Sequence, residues 1–256
     1  MPTWDAHQYL KFAGERTQPA VDLAARVGLE KPRTIIDLGC GPGNSTAVLA
    51  RRWPDARLTG LDQAAPMIAA ARAAHPNITW QIGDVSRWTP AEPCDVVFSN
   101  AALQWIPDHA RTLPRLFAQV APGGAFAFQV PADVNAPAHH LLRQIGGSTR
   151  WREMLREPVP EWHVEEAAFY YDTLAPDATR LELWLTDYLH ILPGAEAIME
   201  WYRGTGARPW LDALPDDEAR AGFISDFLTE LTPVFPPQSD GCVLFPFRRL
   251  FVIAYR

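Results

Sequence analysis

The sequence predicts an α/β protein built on a doubly wound, seven-stranded, mostly parallel sheet, with a helical cap inserted after the fifth and sixth strands. Three observations lead there. Apolar, β-branched runs alternate with helical stretches between residues 34 and 130. A glycine-rich turn, Gly39-Cys40-Gly41-Pro42-Gly43, joins the first run to its helix. The next three runs each end on a polar residue, Asp62, Asp84 and Asn100. Strand–helix alternation is the signature of a parallel sheet covered on both faces, and such sheets bind ligands outside the carboxyl ends of their strands.

Residues 3–30 precede the first strand, and Pro19–Val27 reads as an apolar helix lying on the sheet. Ahead of it, Tyr9, Phe12 and Arg16 (with Trp4 further upstream) are spaced three and four apart, which places them on one face of a turn or helix. They read as a lid; a solvated Arg16 is the alternative. Thr34-Ile35-Ile36 leads through Asp37 to Leu38 as a buried first strand, as β-branched residues favour. Glycines 39, 41 and 43 allow a sharp turn with no Cβ between backbone and ligand. Asn44-Ser45-Thr46 opens a helix running through Ala47–Trp53, with Ser45 or Thr46 as its cap. The amides of that helix N-terminus face the ligand.

Strand two, Arg57–Leu61, ends at Asp62-Gln63, and helix Pro66–Ala74 carries Met67, a core or ligand-facing side chain. Strand three, Ile78–Ile82, ends at Gly83-Asp84-Val85, and strand four, Asp95–Ser99, at Asn100-Ala101. The loop that follows holds Gln104 and Trp105, either as floor of a substrate site or, for Trp105, as packing on helix Asp108–Val120. Pro122-Gly123-Gly124 turns the chain into strand five, Ala125–Val130. The cap is expected over 131–180 and 193–235. It comprises a helix Pro137–Leu155, an irregular stretch Trp151–Trp162, a helix Val164–Leu174, and helices Ala195–Tyr202 and Asp216–Leu231. Strands Leu181–Ile191 and Val243–Tyr255 complete the sheet. Because the last strand closes that sheet, residues 1–256 are expected to form one domain.

Composition narrows the function. A formal charge of −7 and no basic patch disfavour a nucleic-acid substrate. The chain is 48% hydrophobic but has no apolar run near the roughly 18 residues of a membrane span. MPTWDAHQYL lacks a basic-then-apolar leader, so a cytoplasmic location is expected. Three cysteines, Cys40, Cys94 and Cys242, form no C-x-x-C pair, which fits a reducing compartment and no structural zinc. His139 and His140 are sequence neighbours; an adjacent pair does not share a helix face and reads as partly exposed rather than metal-binding. No metal is expected.

The glycine spacing, D-x-G-x-G-x-G from Asp37 to Gly43, departs from the dinucleotide pattern G-x-G-x-x-G. It resembles motif I of class I S-adenosylmethionine (SAM) methyltransferases, a Rossmann-like fold. More narrowly, the blocks YLKFAGERTQPA, DLGCGPGNST, ALQWIPDH, TGARPW and LFPFRRLFVIA are similar, in order and spacing, to those of the trans-aconitate 2-methyltransferase family. The likeness runs from about Trp4 to the C-terminus, with its departures concentrated between Asp133 and Pro160.

The resemblance implies a cofactor, S-adenosyl-L-methionine, with S-adenosylhomocysteine as product and a small anionic polycarboxylate as substrate. It implies a cofactor site of Phe12, Arg16, Asp37, Gly39, Cys40, Gly41, Gly43, Asn44, Asp62, Gln63, Met67, Asp84, Val85, Asn100, Ala101 and Trp105. Within it, Arg16 pairs the methionine carboxylate, Asp62 takes the ribose hydroxyls and Asp84 marks the adenine edge. Cys40 is a small packing residue rather than a nucleophile. A carboxylic acid with reference pKa near 4 is ionised at neutral pH and needs no general base. The site must instead hold the acid's other carboxylates. Arg208, Arg249 and Arg143 are the candidate cations, with Tyr9, Tyr171, Tyr202, Gln104 and Trp105 as neutral contacts. Arginine suits planar bidentate carboxylate binding; a surface salt bridge is the alternative for each. Competing functions are methyl transfer to another small acceptor, such as an acyl thioester carboxylate or an amine, and a non-catalytic SAM- or nucleotide-binding module.

Overall fold

The computed structural model describes residues 11–132, 135–155, 159 and 162–256; Trp4 and Tyr9 lie outside them. Among the described residues seven strands form one sheet, in the order β3-β2-β1-β4-β5-β7-β6. They are β1 (Thr34–Leu38), β2 (Arg57–Asp62), β3 (Thr79–Ile82), β4 (Cys94–Asn100), β5 (Val120–Pro131), β6 (Arg180–Leu192) and β7 (Val243–Tyr255). β1 pairs in parallel with both β2 and β4, and β7 runs antiparallel to β5. The chain crosses over between β1 and β4, and that switch point is where a doubly wound sheet opens a crevice.

The described chain divides into two compact units. The sheet unit comprises Ala13–Ala132, Trp162–Thr186 and Arg248–Arg256. Its core is built from the apolar faces of β1, β4 and β5, including Ile36, Val97, Phe126 and Phe128, with Tyr170 and Val252. Around the sheet lie helices α1 (Ala13–Arg26), α2 (Asn44–Arg52), α3 (Ala65–Ala74) and α4 (His109–Phe117). The helical unit comprises the described residues that fall within Met1–Phe12, Asp133–Glu161 and Asp187–Phe247. It contains α5 (Pro137–Gly146), α6 (Thr149–Arg152), α8 (Ala195–Arg203), α9 (Arg208–Ala213) and α10 (Asp217–Val234). Trp151, Trp201, Tyr202, Phe223, Phe227 and Phe245 fill its own core. Helix α7 (Ala167–Leu174) falls in the sheet unit, although its residues lie within the segment 131–180 expected in the cap.

Several elements differ from the sequence expectation. β5 starts at Val120 and takes in the expected turn Pro122-Gly123-Gly124, and helix α9 has no counterpart in that expectation. Three further differences have a cause in packing or hydrogen bonding. Helix α1 starts at Ala13 and runs through Pro19. Arg16, Pro19, Ala20, Leu23 and Val27 recur at helical spacing and are all buried, so one burial face extends upstream of the proline. The expected helix Pro137–Leu155 is two helices, broken at Gly147-Ser148. Just before the break, a Cβ on Gly146 would collide with the Trp210 ring, so the glycine is required by packing. Helix α2 is capped by Gly43 in the left-handed region (φ 96°); Ser45 and Thr46 do not cap it, because their hydroxyls are turned to Asp37.

Candidate active site

Asp37, next to last in β1, has no exposed surface. Its Oδ2 accepts hydrogen bonds from Ser45 Oγ and Thr46 Oγ1, each at 2.6 Å. Its buried Oδ1 has no hydrogen-bond partner among the described residues. Burial pushes the Asp37 carboxyl up to about 6, against the lowering effect of the two hydroxyls. Beyond it the amides of Gly39 and Cys40 donate to Leu61 O, pinning the glycine loop to β2. Gly41 donates to Asp62 Oδ2 at 2.9 Å, and Ala64 to Asp62 Oδ1 at 2.8 Å. A carboxylate can accept about four hydrogen bonds, so with the Gln63 amide as a further donor Asp62 still keeps acceptor capacity for a hydroxyl ligand.

Gly41, at φ 54°, has open space where a Cβ would stand. Gly43 is closed off instead: a Cβ there would sit 2.8 Å from the Trp80 ring. Cys40 is buried, and burial raises its thiol far above the ordinary range, which makes it inert packing. Asn44 Nδ2 donates to Thr17 Oγ1 at 3.3 Å, bringing the turn that carries Arg16 beside the N-terminus of α2. Arg16 itself is 5% exposed, which rules out the solvated alternative.

The loops after β3 and β4 are braced from elsewhere in the sheet unit. Arg115 donates to Val85 O and Trp88 O, at 2.7 and 2.6 Å, and Asp84 Oδ1 accepts from the Ser86 amide. After β4, Ala101 adopts φ 54°, a left-handed conformation that costs a non-glycine residue about 1 kcal/mol or more. A Cβ on Gly39 would collide with Ala102, so this loop rests directly on the glycine turn. Gln104 Nε2 donates to Ala101 O at 2.8 Å, while its buried Oε1 has no partner among the described residues. The Trp105 ring meets Trp162 edge-on at 6.1 Å.

A proton-ordered chain fixes the short 3₁₀ turn Leu103–Trp105. His109 Nε2 lies 2.9 Å from Leu103 O, an acceptor only, so Nε2 carries the hydrogen. His109 Nδ1 therefore accepts from Tyr170 Oη at 3.2 Å, and Tyr170 Oη accepts from the Glu165 amide at 3.1 Å. Burial holds His109 below its ordinary pKa, in keeping with a neutral ring. Neither His109 nor Tyr170 stood out in the sequence.

Asn100, Gln129 and Arg249 form a second polar line across β4, β5 and β7. Gln129 Nε2 is 2.7 Å from Asn100 Oδ1, and Arg249 Nη1 is 3.4 Å from Gln129 Oε1. All three are buried. Gln129 was missed in the sequence, though it is the one amide in the apolar run AFAFQV.

The remaining candidates are engaged within their own units. Phe12 packs on Trp201 at 5.2 Å between ring centres. Arg143 donates to Asn135 Oδ1 at 2.9 Å, and Arg208 forms an ion pair with Asp212 at 3.1 Å. Tyr202 is 2% exposed, inside the helical core. Tyr171 is half-exposed on α7, where its neighbour Tyr170 is the buried ring. Met67 is buried on α3. Of the adjacent pair, His140 is exposed and His139 is buried, and burial drives the His139 imidazole down to about 4. It faces Tyr202 and the Gly206 turn, a packing environment that the adjacent-histidine pattern does not reveal.

The open cradle at Gly41, the unsatisfied Asp37 oxygen and the spare acceptor capacity of Asp62 fit a ligand carrying a cationic amine and a ribose-like hydroxyl. Among the described residues no cluster of three or more His, Cys, Asp or Glu could hold a metal. None of their helices is long and apolar enough to cross a membrane.

Comparison with known proteins agrees with this geometry. Residues 35–124 match the family model described as a methyltransferase domain. The chain is 49% identical to the trans-aconitate 2-methyltransferase of Azoarcus sp. (strain BH72), covering 100% of both chains. It is 46% identical to that of Methylobacterium radiotolerans, over 99% of this chain and 98% of the relative. Among solved structures, phosphoethanolamine N-methyltransferase 2 of Haemonchus contortus in complex with S-adenosyl-L-methionine aligns with a TM-score of 0.60 at 16% identity. That alignment covers 97% of this chain and 56% of the other. A SAM-dependent methyltransferase from Geobacter sulfurreducens in complex with S-adenosyl-L-homocysteine aligns at 0.52 and 19% identity, over 95% of this chain and 91% of the other. These structural likenesses concern the fold.

Proposed function

This chain belongs to the trans-aconitate 2-methyltransferase family, and from that premise we propose how its own residues divide the work. The protein is an S-adenosyl-L-methionine-dependent methyltransferase that esterifies one carboxylate of trans-aconitate, giving the monomethyl ester and S-adenosylhomocysteine. The observation that carries this reading is the open glycine cradle between Asp37 and Asp62, in a chain alike from end to end to trans-aconitate 2-methyltransferases.

S-adenosyl-L-methionine, when bound, supplies an electrophilic methyl group. On the protein side, Asp62 would hold the ribose hydroxyls, and Gly39, Gly41 and Gly43 would let the backbone approach. Asp37 and Arg16 would take the amine and carboxylate of the methionine part, while Asp84 and Val85 would border the adenine. A buried acidic oxygen aimed at a cationic amine recovers in Coulomb attraction part of what burial costs it.

For the acid, the supporting residues lie in the sheet unit: Asn100 at the end of β4, which the resemblance had placed on the cofactor side, Gln104 in the turn that follows, and Arg249 on β7. The acid's oxygen is already an anion, so these groups need only orient it and exclude water. Orientation of that kind can contribute roughly 7–11 kcal/mol to a two-reactant step.

The test is transfer of radiolabelled methyl to trans-aconitate, cis-aconitate, isocitrate and citrate. Label in trans-aconitate monoester is expected. Label in none of them, with another acceptor methylated, overturns the substrate reading. Preference for NAD over SAM in titration calorimetry overturns the cofactor assignment.

A further inference from the structure

We propose that Gln129, which is wholly buried and touches no ligand, sets the specificity of the acid site by fixing which end of the Asn100 amide faces outward. The inference rests on the trans-aconitate reading above and deepens it.

Register places the three residues on one face of the sheet. Asn100 lies opposite Gln129 in the β4–β5 ladder, and Gln129 lies opposite Phe251 in the β5–β7 ladder. Arg249 is two residues from Phe251, and a period of two returns its side chain to that face. Amide oxygen and nitrogen are hard to tell apart by shape, but a hydrogen-bond chain anchored on arginine is directional. A guanidinium only donates. The Gln129 atom facing Arg249 at 3.4 Å must therefore be Oε1, which turns Nε2 towards Asn100 at 2.7 Å. The Asn100 atom receiving it must be Oδ1. Nδ2 of Asn100 is left as the outward group, and it donates to no described residue.

The outward group sits at the carboxyl edge of β4, where the next loop rests on the glycine turn. An N–H₂ in that position attracts a carboxylate and a C=O would repel one. Gln129 thus converts the fixed polarity of an arginine into a donor presented to an anion. It is a positioning residue acting through Asn100.

Gln129→Glu inverts the device. A glutamate accepts at both oxygens, so it can still pair with Arg249 but must also accept from Asn100, turning the Asn100 carbonyl outward. KM for trans-aconitate is expected to rise about tenfold or more, as befits a lost charge-assisted hydrogen bond, with SAM affinity by calorimetry changing less than about twofold. In an Asn100→Ala background the same substitution is expected to add less than about twofold, because coupled residues fail to act additively.

If Gln129→Glu does not fold, Gln129→Met removes the directional constraint without adding charge, and it must still raise KM for the acid selectively. Equal losses for acid and cofactor, a loss for the cofactor alone, or an undiminished effect in Asn100→Ala would each overturn the proposal. Unchanged KM beside normal wild-type turnover overturns the role of Gln129 alone. Absent wild-type turnover on trans-aconitate overturns the substrate reading, and this inference with it.

Discussion

A carboxyl group enclosed near the end of β1, with two hydroxyls on one oxygen and a bare second oxygen, stores a cost that depends on pH. The folded Asp37 titrates at about 6 against 3.8 for the free side chain, chiefly because it is buried. Between those values the folded chain holds a proton that the unfolded chain has released, so stability falls as pH rises through that window. Above pH 6 the full cost, about 3 kcal/mol, is present. Asp37→Asn can still accept from Ser45 and Thr46 but carries no charge. Without cofactor, its gain in denaturation free energy over wild type is expected to be small at pH 4 and larger at pH 7.5. A pH-independent difference would contradict an ionised buried carboxylate. Asp62 makes the complementary case, since its oxygens already hold Gly41 and Ala64. Asp62→Ala is expected to weaken SAM binding about 10- to 100-fold in calorimetry, the scale of charge-assisted hydrogen bonds; unchanged affinity would remove it from the ribose site. Asp62 was legible in the sequence because strand length and glycine spacing fix it at a strand end. The Ser45 and Thr46 contacts were misread as caps because a hydroxyl at a helix start has two acceptors within reach, backbone and Asp37.

At the scale of elements, the turn Leu103–Trp105 is positioned by a helix that follows more than sixty residues later. His109 and Tyr170 are 61 residues apart in sequence and 3.2 Å apart in space. Tyr170→Phe removes one hydroxyl but strands two groups, His109 Nδ1 and the Glu165 amide. The cost is expected at about 1–3 kcal/mol, read as a fall in Tm of about 2–4 °C per kcal/mol for a chain of this size. KM for trans-aconitate should rise with it, through Gln104, while SAM affinity holds. A fall in SAM affinity of the same size would place the lock under the cofactor loop instead. Gly43→Ala tests the other loop. It combines a left-handed φ of 96° with a Cβ only 2.8 Å from Trp80, and SAM affinity should drop at least about tenfold if the turn shifts. No local pattern could announce the His109–Tyr170 pairing, because neither residue breaks the periodicity of its own helix. The alternation from β1 to β4 was legible for the opposite reason: each strand is four to seven residues long and ends at or beside a glycine or a polar residue. Helix α5 stops at Gly146 through the demand of the Trp210 ring, a tertiary cause.

At the scale of the whole molecule, the chain passes five times between its two units, and the last two passages fall within the continuous strands β6 and β7. An unbroken strand gives no composition shift or linker, which explains why the sequence reads as one sheet with a cap. The units nevertheless have separate aromatic and aliphatic cores. Two buried imidazoles, one in each unit, are held neutral: burial lowers His139 to about 4 and His109 below its ordinary value. Neither can gain or lose a proton in an assay at neutral to basic pH, and the acid's carboxylates are fully ionised there. A mechanism that only positions an existing anion then has no titrating participant. The rate constant kcat is expected to change less than about twofold from pH 6.5 to 9, because a bell or step requires an essential acid or base within the range. Below pH 6, protonation of Asp37 withdraws the anion proposed to meet the cofactor's amine, so KM for SAM should rise while KM for trans-aconitate follows only the acid's own ionisation. A kcat midpoint between pH 6.5 and 8 would demand a general base and overturn the positioning mechanism. A pH-independent KM for SAM would instead detach Asp37 from the cofactor and leave the acid chemistry standing.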